Sequence, residues 1–482
     1  MLVGIDSSIA AGNAGLFNAG WENFLSGFSD VVILIPGIIG SELSKDGRVL
    51  WGGSESTIWG ALTEDTLDAL ALSAPGSLDE DIGDGITATG ILRRPAVIPD
   101  LWKIGTYQDL SRGLIEGLRL SPGKNYFEFA YDWRRDNRVA AGQLARAAHS
   151  WLSVWKASSG NDGARLVLVT HSMGGLIARH FVEVMEGWRT TRATFAISTP
   201  FSGSGNAVSF LADGMTQWWL PQRLKDSINA IRGMDSVYQL LPTTTFIKDT
   251  DGGLHHVHDS SIANIDAGRA RAALDFHAEM TGAANSNASI DAYASRRGSL
   301  RTVIGTEQPT FGFAALQSTG VVTCENSDDD RLLWGDGIVP RRSATPPEVG
   351  EEVATFVPTR HAVIPSHAMT IAHIRNAIAG LPEVSLRDRG GVGTISLTIG
   401  DIYPAREPVR MTAATGTPTQ YLDLSITGLD QSAIRFTTRM YPKDGMFTWE
   451  GALEPGSYAS AVSCAGAETA GDVFFVQSVQ QE

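Results

Sequence analysis

The sequence predicts a doubly wound, mostly parallel α/β sheet followed by a small all-β unit, and three observations carry that expectation. Continuous apolar runs such as Val31 to Ile35 and Leu166 to Val169 have the pattern of strands covered on both faces. Stretches of helical period alternate with them, which implies crossover connections and places chemistry at the carboxyl ends of the strands. From about Leu386 the pattern changes to short alternating segments separated by turn signals, as in a β-sandwich of about a hundred residues.

Residues 13–28 set Leu16, Phe17, Trp21, Phe24, Leu25 and Phe28 near helical spacing on one face. Residues 1–30 are therefore expected to pack on the main unit, with a membrane-interface or lid role as the alternative. The main unit spans 31–385. Its first strand ends in Pro36-Gly37-Ile38-Ile39-Gly40, a loop able to bring backbone N–H groups close to a substrate. Residues 125–131 make a second strand, followed by Asp132-Trp133-Arg134-Arg135, where acid and base can brace the strand end. Val139 to Trp155 reads as an amphipathic helix. The strand 166–169 follows, then Ala193 to Ser198, Leu300 to Gly305 and residues 353–357. Two insertions, about 51–124 and 202–298, are long enough to be functional caps or to carry structure of their own.

Asp388 to Gly393 reads as a linker. Beyond it, residues 393–482 contain TISLTI, VRMTA, YLDLSITG, IRFTTRMY, MFTWEG, YASAVS and VFFVQSV, punctuated by Lys443-Asp444-Gly445 and Pro455-Gly456. This β unit has no catalytic constellation, so its expected role is docking of substrate, partner, surface or glycan, or simple stabilisation.

Composition narrows the partners. The chain of 482 residues is too long for one ordinary core. Its net charge of −15 argues against nucleic acid and against simple electrostatic attraction to anionic lipid. Cys324 and Cys464 fall in different units, so a disulfide framework is not expected. The first basic residue is Lys45. With neither a basic leader nor an apolar run of about 18 residues, the expected location is cytoplasmic.

The most informative stretch is LVLVTHSMGGLIARHF, residues 166–181. A strand enters a tight turn with Ser172 at its apex, and Gly174 and Gly175 let the following helix approach the strand. A serine held there has its hydroxyl at a helix N-terminus, where free N–H groups favour a developing oxyanion. Thr170 stands where the G-x-S-x-G pattern has glycine. A serine nucleophile needs a base, and the base an orienting acid, in the chain order Ser, Asp/Glu, His for such elbows. Asp336 lies downstream between two glycines after an apolar run, as a carboxylate in a strand-terminal loop would. His361, His367 and His373 follow. His367 comes directly after Pro365-Ser366 and opens the helix-like stretch AMTIAHIRNAI, and is the expected base. His361, nearer the end of the preceding strand, is the alternative, and His373 falls inside the helix. His171, beside the apex, is expected to point elsewhere.

A rival motif is His255-His256-Val257-His258-Asp259, which superficially has metal-ligand spacing. It lacks a convincing further ligand set and follows a Gly/Asp-rich hairpin, so no metal and no cofactor are expected.

Seven segments together resemble the lecithin:cholesterol acyltransferase family of α/β-hydrolases, which also holds phospholipases and bacterial esterases and lipases. They are VVILIPGIIGSEL with Trp51 shortly after, FAYDWRRD, VTHSMGGLIAR, ISTPFSGS, SVYQLLPT, WGDGIVPRRS and the histidine segment, covering about 31–380 in the family's order. The resemblance implies Ser172 as nucleophile, Asp336 as triad acid and His367 as base. It places oxyanion amides on Ile38, with Ile39 less favoured, and on Met173. It puts Trp51 and the 51–124 insertion in the family's lipid-contacting cap. The implied activity is hydrolysis of lipid esters or transfer of their acyl groups, with transient membrane-surface contact. A carboxylesterase or thioesterase on soluble acyl groups and an idle binding scaffold are the alternatives. The β unit lies outside the resemblance, and the cap disulfide of secreted animal members is absent.

Overall fold

The computed structural model describes residues 28–52, 68–98, 102–214, 225, 231–295, 299–318, 322–326, 334–380, 393–429 and 435–477. Its centre is a sheet of six strands. They are β1 (Val31–Ile35), β2 (Tyr126–Glu128), β3 (Leu166–His171), β4 (Thr191–Ile197), β5 (Leu300–Gly305) and β6 (Ala354–Val357). The order is β6-β5-β4-β3-β1-β2, and every neighbouring pair is parallel. Strands β1 and β3 are buried along their whole length, which is why β1, and β3 up to Thr170, are β-branched and aliphatic runs.

Helices α1 (Gln108–Leu118), α2 (Asn137–Ser159), α3 (Gly174–Glu183), α4 (Ala267–Asn287) and α5 (Ala368–Ala379) pack around the sheet. Asp136 caps α2 by accepting from the Arg138 amide, and Gly160 ends it in the left-handed conformation at φ 68°. Gly113 of α1 faces Ile371 of α5 so closely that a Cβ there would come within 2.5 Å of the isoleucine side chain. Strand β2 is shorter than its apolar run suggests. After Phe129, whose amide still bonds Leu34 O, the chain leaves the sheet and Tyr131 gives its hydroxyl to Pro36 O at 2.9 Å.

The first insertion adds Ile86–Ile91 to an antiparallel sheet with the preceding strands Ser41–Lys45 and Arg48–Trp51, and carries a pair Ala96–Ile98 and Trp102–Ile104 and α1. The second contributes Ile247–Lys248 and Leu254–His255, joined as the hairpin anticipated at 249–253, to a four-stranded sheet with Phe311–Leu316 and Val322–Asn326. The amphipathic N-terminal stretch lies outside the described residues apart from Phe28, which packs on the core. Of the linker residues only Gly393 is described.

The C-terminal unit has eight strands: β7 (Ile395–Ile399), β8 (Ile402–Pro404), β9 (Val409–Thr415), β10 (Leu422–Gly428), β11 (Arg435–Lys443), β12 (Met446–Gly451), β13 (Gly456–Ser463) and β14 (Ala470–Gln477). They run in the order β7-β9-β12-β11-β10-β13-β14-β8. Strand β11 pairs with β10 through residues 435–440 and with β12 through 441–443, so it passes from one layer to the other and curls the sheet into a sandwich. Leu397, Met411, Leu424, Ile426 and Phe474 fill the space between the layers. Among the described residues no helix is long and apolar enough to cross a membrane.

Asp132-Trp133-Arg134 does brace the strand end. The Arg134 side chain is fully buried and pairs with Asp132 at 2.6 Å and Asp84 at 2.8 Å, tying the first insertion to the end of β2. Burial acts to raise the Asp84 carboxyl, but the Ile86 amide and Arg134 outweigh it and hold it below its ordinary 3.8. Replacing Arg134 with Met would leave two partly buried carboxylates without their cation and is expected to cost about 1.5–3 kcal/mol in denaturant unfolding at neutral pH. Because Asp84 is depressed in the fold, its contribution is present above pH 3.8 and lost as the pH falls below that value. The acid-induced loss of stability should therefore be smaller in Arg134→Met than in the parent.

Candidate active site

Strand β3 runs into Ser172, whose φ is +54°, and α3 begins two residues later. The left-handed turn is held by the Ser172 amide donating to Ile197 O at 2.9 Å. The glycines on both sides are required by space. A Cβ on Gly174 would collide with the carbonyls of Ile35 and Pro36, one on Gly175 with the Thr199 side chain, and one on Gly37 would lie 2.8 Å from Ser172 Cβ. Thr170 fits in place of a glycine because its hydroxyl finds Phe195 O at 3.2 Å within the sheet.

Three side chains meet at the carboxyl end of the sheet. His361 Nε2 lies 3.0 Å from Ser172 Oγ, and His361 Nδ1 lies 2.7 Å from Asp336 Oδ2. Asp336 Oδ1 accepts from the amides of Ile338 (3.0 Å) and Val339 (2.7 Å), and the His361 amide donates to Asp336 O at 2.9 Å. Asp336 thus holds the ring through both side chain and backbone. An ionised Asp336 selects the Nδ1–H tautomer and leaves the Nε2 lone pair directed at the serine hydroxyl. All three residues are at most 1% exposed.

The base differs from the one expected from sequence. His367 sits at the N-cap of α5, its Nδ1 accepting from the Met369 amide at 3.3 Å, and contacts neither Asp336 nor Ser172. Its imidazole is depressed by burial, against the opposing pull of Glu468. The physical reason is the path of the chain. Residue 361 lies just past the end of β6, where the sheet's carboxyl edge opens, and a 3₁₀ turn at Ile364–Ser366 then carries residue 367 away. His373 is buried within α5 beside Thr355.

A layer of polar contacts surrounds the imidazole. The Trp102 indole donates to His361 Nε2 at 3.0 Å, so two donors converge on one lone pair. His171 lies alongside His361 with ring centroids 4.7 Å apart. Burial and repulsion from His361 push His171 well below the ordinary histidine value, so it stays neutral beside the base. Tyr107 accepts from the Gly37 amide at 2.8 Å, which leaves its hydroxyl proton for His171 Nδ1 at 2.9 Å.

Ile38 and Met173 are fully buried next to the serine, Met173 as the N-cap of α3. Among the described residues neither backbone amide meets an acceptor, so both are available to a developing oxyanion. Ile39 has φ +57°, an uncommon conformation for a β-branched residue, and its carbonyl accepts from Trp51 Nε1 at 2.8 Å. Trp51, expected as a substrate contact in the cap, is instead buried edge-on against Trp133 and braces the loop. In the 255–259 motif His255 turns away to pair with Asp249 at 2.7 Å, while His258 meets Asp259 and lies beside His256. Among the described residues no group of three His, Cys, Asp or Glu side chains could hold a metal ion. Trp102 and Tyr107 were not anticipated, since nothing in the local pattern of the first insertion distinguishes them.

Residues 114–274 match the profile of the lecithin:cholesterol acyltransferase family. Over 221 residues, 42% of this chain, the sequence is 27% identical to lecithin-cholesterol acyltransferase-like 4 of Arabidopsis thaliana; the match spans 40% of that protein's length. Among solved structures, the mature lipase BlEst2 of Bacillus licheniformis is similar with a TM-score of 0.34 and 13% identity, covering 73% of this chain and 92% of that one. Phospholipase PlaB of Legionella pneumophila has a TM-score of 0.31 and 11% identity, covering 92% and 89%. The matched segment 114–274 is thus similar to the lecithin:cholesterol acyltransferase family, and it includes the serine elbow described above.

Proposed function

We propose that the chain is a serine acyl-ester hydrolase acting on lipid esters, able in principle to pass the acyl group to an alcohol. The observation that carries the reading is the unbroken chain Asp336 Oδ2–His361 Nδ1 (2.7 Å) and His361 Nε2–Ser172 Oγ (3.0 Å) at a strained serine elbow. Ser172 Oγ attacks the acyl carbonyl carbon while His361 Nε2 takes its proton, and Asp336 stabilises the imidazolium that forms. The Ile38 and Met173 amides receive the oxyanion, each donor contributing about 3 kcal/mol in the transition state. Collapse breaks the ester C–O bond, and His361 returns the proton to the departing alcohol. Water, or an acceptor alcohol, then attacks the acyl-Ser172 ester with His361 again as base, which restores the serine hydroxyl.

Two things support a lipid substrate: the family match, and the apolar character of the neighbouring chain, where Ile38, Ile39, Met173 and Trp102 are fully buried. The deciding measurement is fatty-acid release from mixed phospholipid vesicles, with a soluble short-chain ester alongside. Ser172→Ala and His361→Ala should each lose about 10⁴-fold or more in turnover, whereas His367→Ala should stay within a few-fold of the parent. Cleavage of the short ester alone would move the substrate class to soluble acyl esters. Full activity in Ser172→Ala would remove the proposal.

Trp102 supplies a second expectation. Its N–H shares the Nε2 lone pair with the serine hydroxyl, and a neutral hydrogen bond of this kind is worth about 0.5–1.5 kcal/mol. Trp102→Phe keeps a ring and removes the donor, so Ser172 should react with a fluorophosphonate about 2- to 10-fold faster.

A further inference from the structure

The C-terminal sandwich meets the main unit at the loops behind the triad. Asp472 of β14 is fully buried and contacts Lys103 Nζ at 2.8 Å and Arg360 Nε at 2.5 Å. Lys103 also contacts Asp401, which precedes β8, at 2.8 Å. The four groups balance as two cations and two anions. Burial alone would lower the Lys103 ammonium, but Asp401 and Asp472 more than reverse this and keep it charged. Both cations adjoin residues of the site: Lys103 follows Trp102, whose indole rests on His361 Nε2, and Arg360 precedes His361 itself. Arg360 also runs under Gly337, the neighbour of Asp336, closely enough that a Cβ there would sit 2.9 Å from the guanidinium. It ends on Leu397 O of β7 at 2.7 Å.

A second link reaches the acid independently. The Gln308 side chain is fully buried and joins the edge of β7 as a strand would, donating to Ile395 O at 3.0 Å and accepting from the Leu397 amide at 2.9 Å. Its own backbone amide donates to Gly335 O at 3.0 Å, one residue before Asp336. The segment 102–105 in turn bonds the base loop directly, Gly105 N to Ala362 O at 2.9 Å. The loops bearing acid and base, and the strand covering the base, are therefore each tied to the sandwich by buried polar contacts.

We infer that the β-sandwich is a positioning element of the active site, holding the His361 and Asp336 loops through Asp472, Arg360, Lys103 and Gln308, rather than a separable docking module. The inference rests on the proposed serine-hydrolase reading. None of the four residues touches Ser172, so their effect passes through the alignment of the base with the nucleophile, where a displacement of about 1 Å costs on the order of 100-fold in rate.

The test compares the full-length parent with Asp472→Asn, which removes the charge while keeping the shape, and Gln308→Met, which removes both bonds to β7. Glu450→Gln, at an exposed pair on β12, serves as the control. The readouts are kcat and KM on a soluble short-chain ester, and the rate and final extent of fluorophosphonate labelling. Expected in both variants is a fall of about 10- to 100-fold in kcat, with KM within about twofold. Labelling should be slower but reach the parent's full stoichiometry, a result that loss of folded protein would not give. Parent-like kcat and labelling rate in both variants, or slower turnover explained wholly by incomplete labelling, would overturn the inference. A parent chain without Ser172-dependent hydrolysis would overturn the proposed function and this inference with it, and so is distinguishable from failure of the inference alone.

Discussion

Backbone crowding around residue 172 is the constraint on which the rest of the arrangement depends. Strands β1 and β3 are neighbours in the sheet, and the loop leaving one passes directly over the turn leaving the other. Gly174 lets the start of α3 press against the Ile35 and Pro36 carbonyls, while Gly37 and Gly175 leave room for the Ser172 and Thr199 side chains. That closeness brings the Ile38 amide and the N-terminus of α3 to the same small region as the serine hydroxyl. The surrounding groups lock the geometry: Tyr131 on Pro36 O, Tyr107 on the Gly37 amide and Trp51 on Ile39 O. Several of the largest buried aromatic side chains are thus used to fix a loop, in addition to filling the core.

The acid and base arrive from the other side of the sheet. Strand β5 leads toward the Gln308 and Asp336 segment and β6 toward His361, and the backbone bond between residues 361 and 336 makes them one unit before any side chain is considered. Buried charge is handled consistently here. The Asp336 carboxylate has two amides and an imidazole, and the cations behind it are matched by anions from the sandwich. Unpaired, such groups would be strongly unfavourable in a dry interior; paired, they restrict the loops to one relative placement.

How much of this was legible in the sequence depended on the range of the interactions. The elbow was readable because its glycines, serine and flanking strand are contiguous and their steric roles are local. Asp336 was readable for the same reason, as a carboxylate in a tight Gly-Asp-Gly turn. His367 was misread because a helix start is a strong local signal, whereas reach to the nucleophile depends on where β6 ends and how the 3₁₀ turn redirects the chain. The inward position of Trp51, the indole of Trp102 on the base and the contacts of Asp472 were not legible at all. Each joins residues far apart in sequence, and a lysine or aspartate destined for a buried cluster looks locally like any solvated one. The alternating segments of the sandwich were apparent, although β8, only three residues long, was not.

The positive φ angles at Ser172 and Ile39 have a consequence for the evolution of the fold. Backbone in this region is disfavoured for any residue with a Cβ, by about 1–3 kcal/mol, and glycine would relieve the strain at either position. A lineage retaining this fold purely as a scaffold would be free to drift toward glycine at both sites and gain thermal resistance as it did so. Serine and isoleucine in that conformation leave the fold less robust than the architecture permits, in exchange for an apical hydroxyl and a shaped loop.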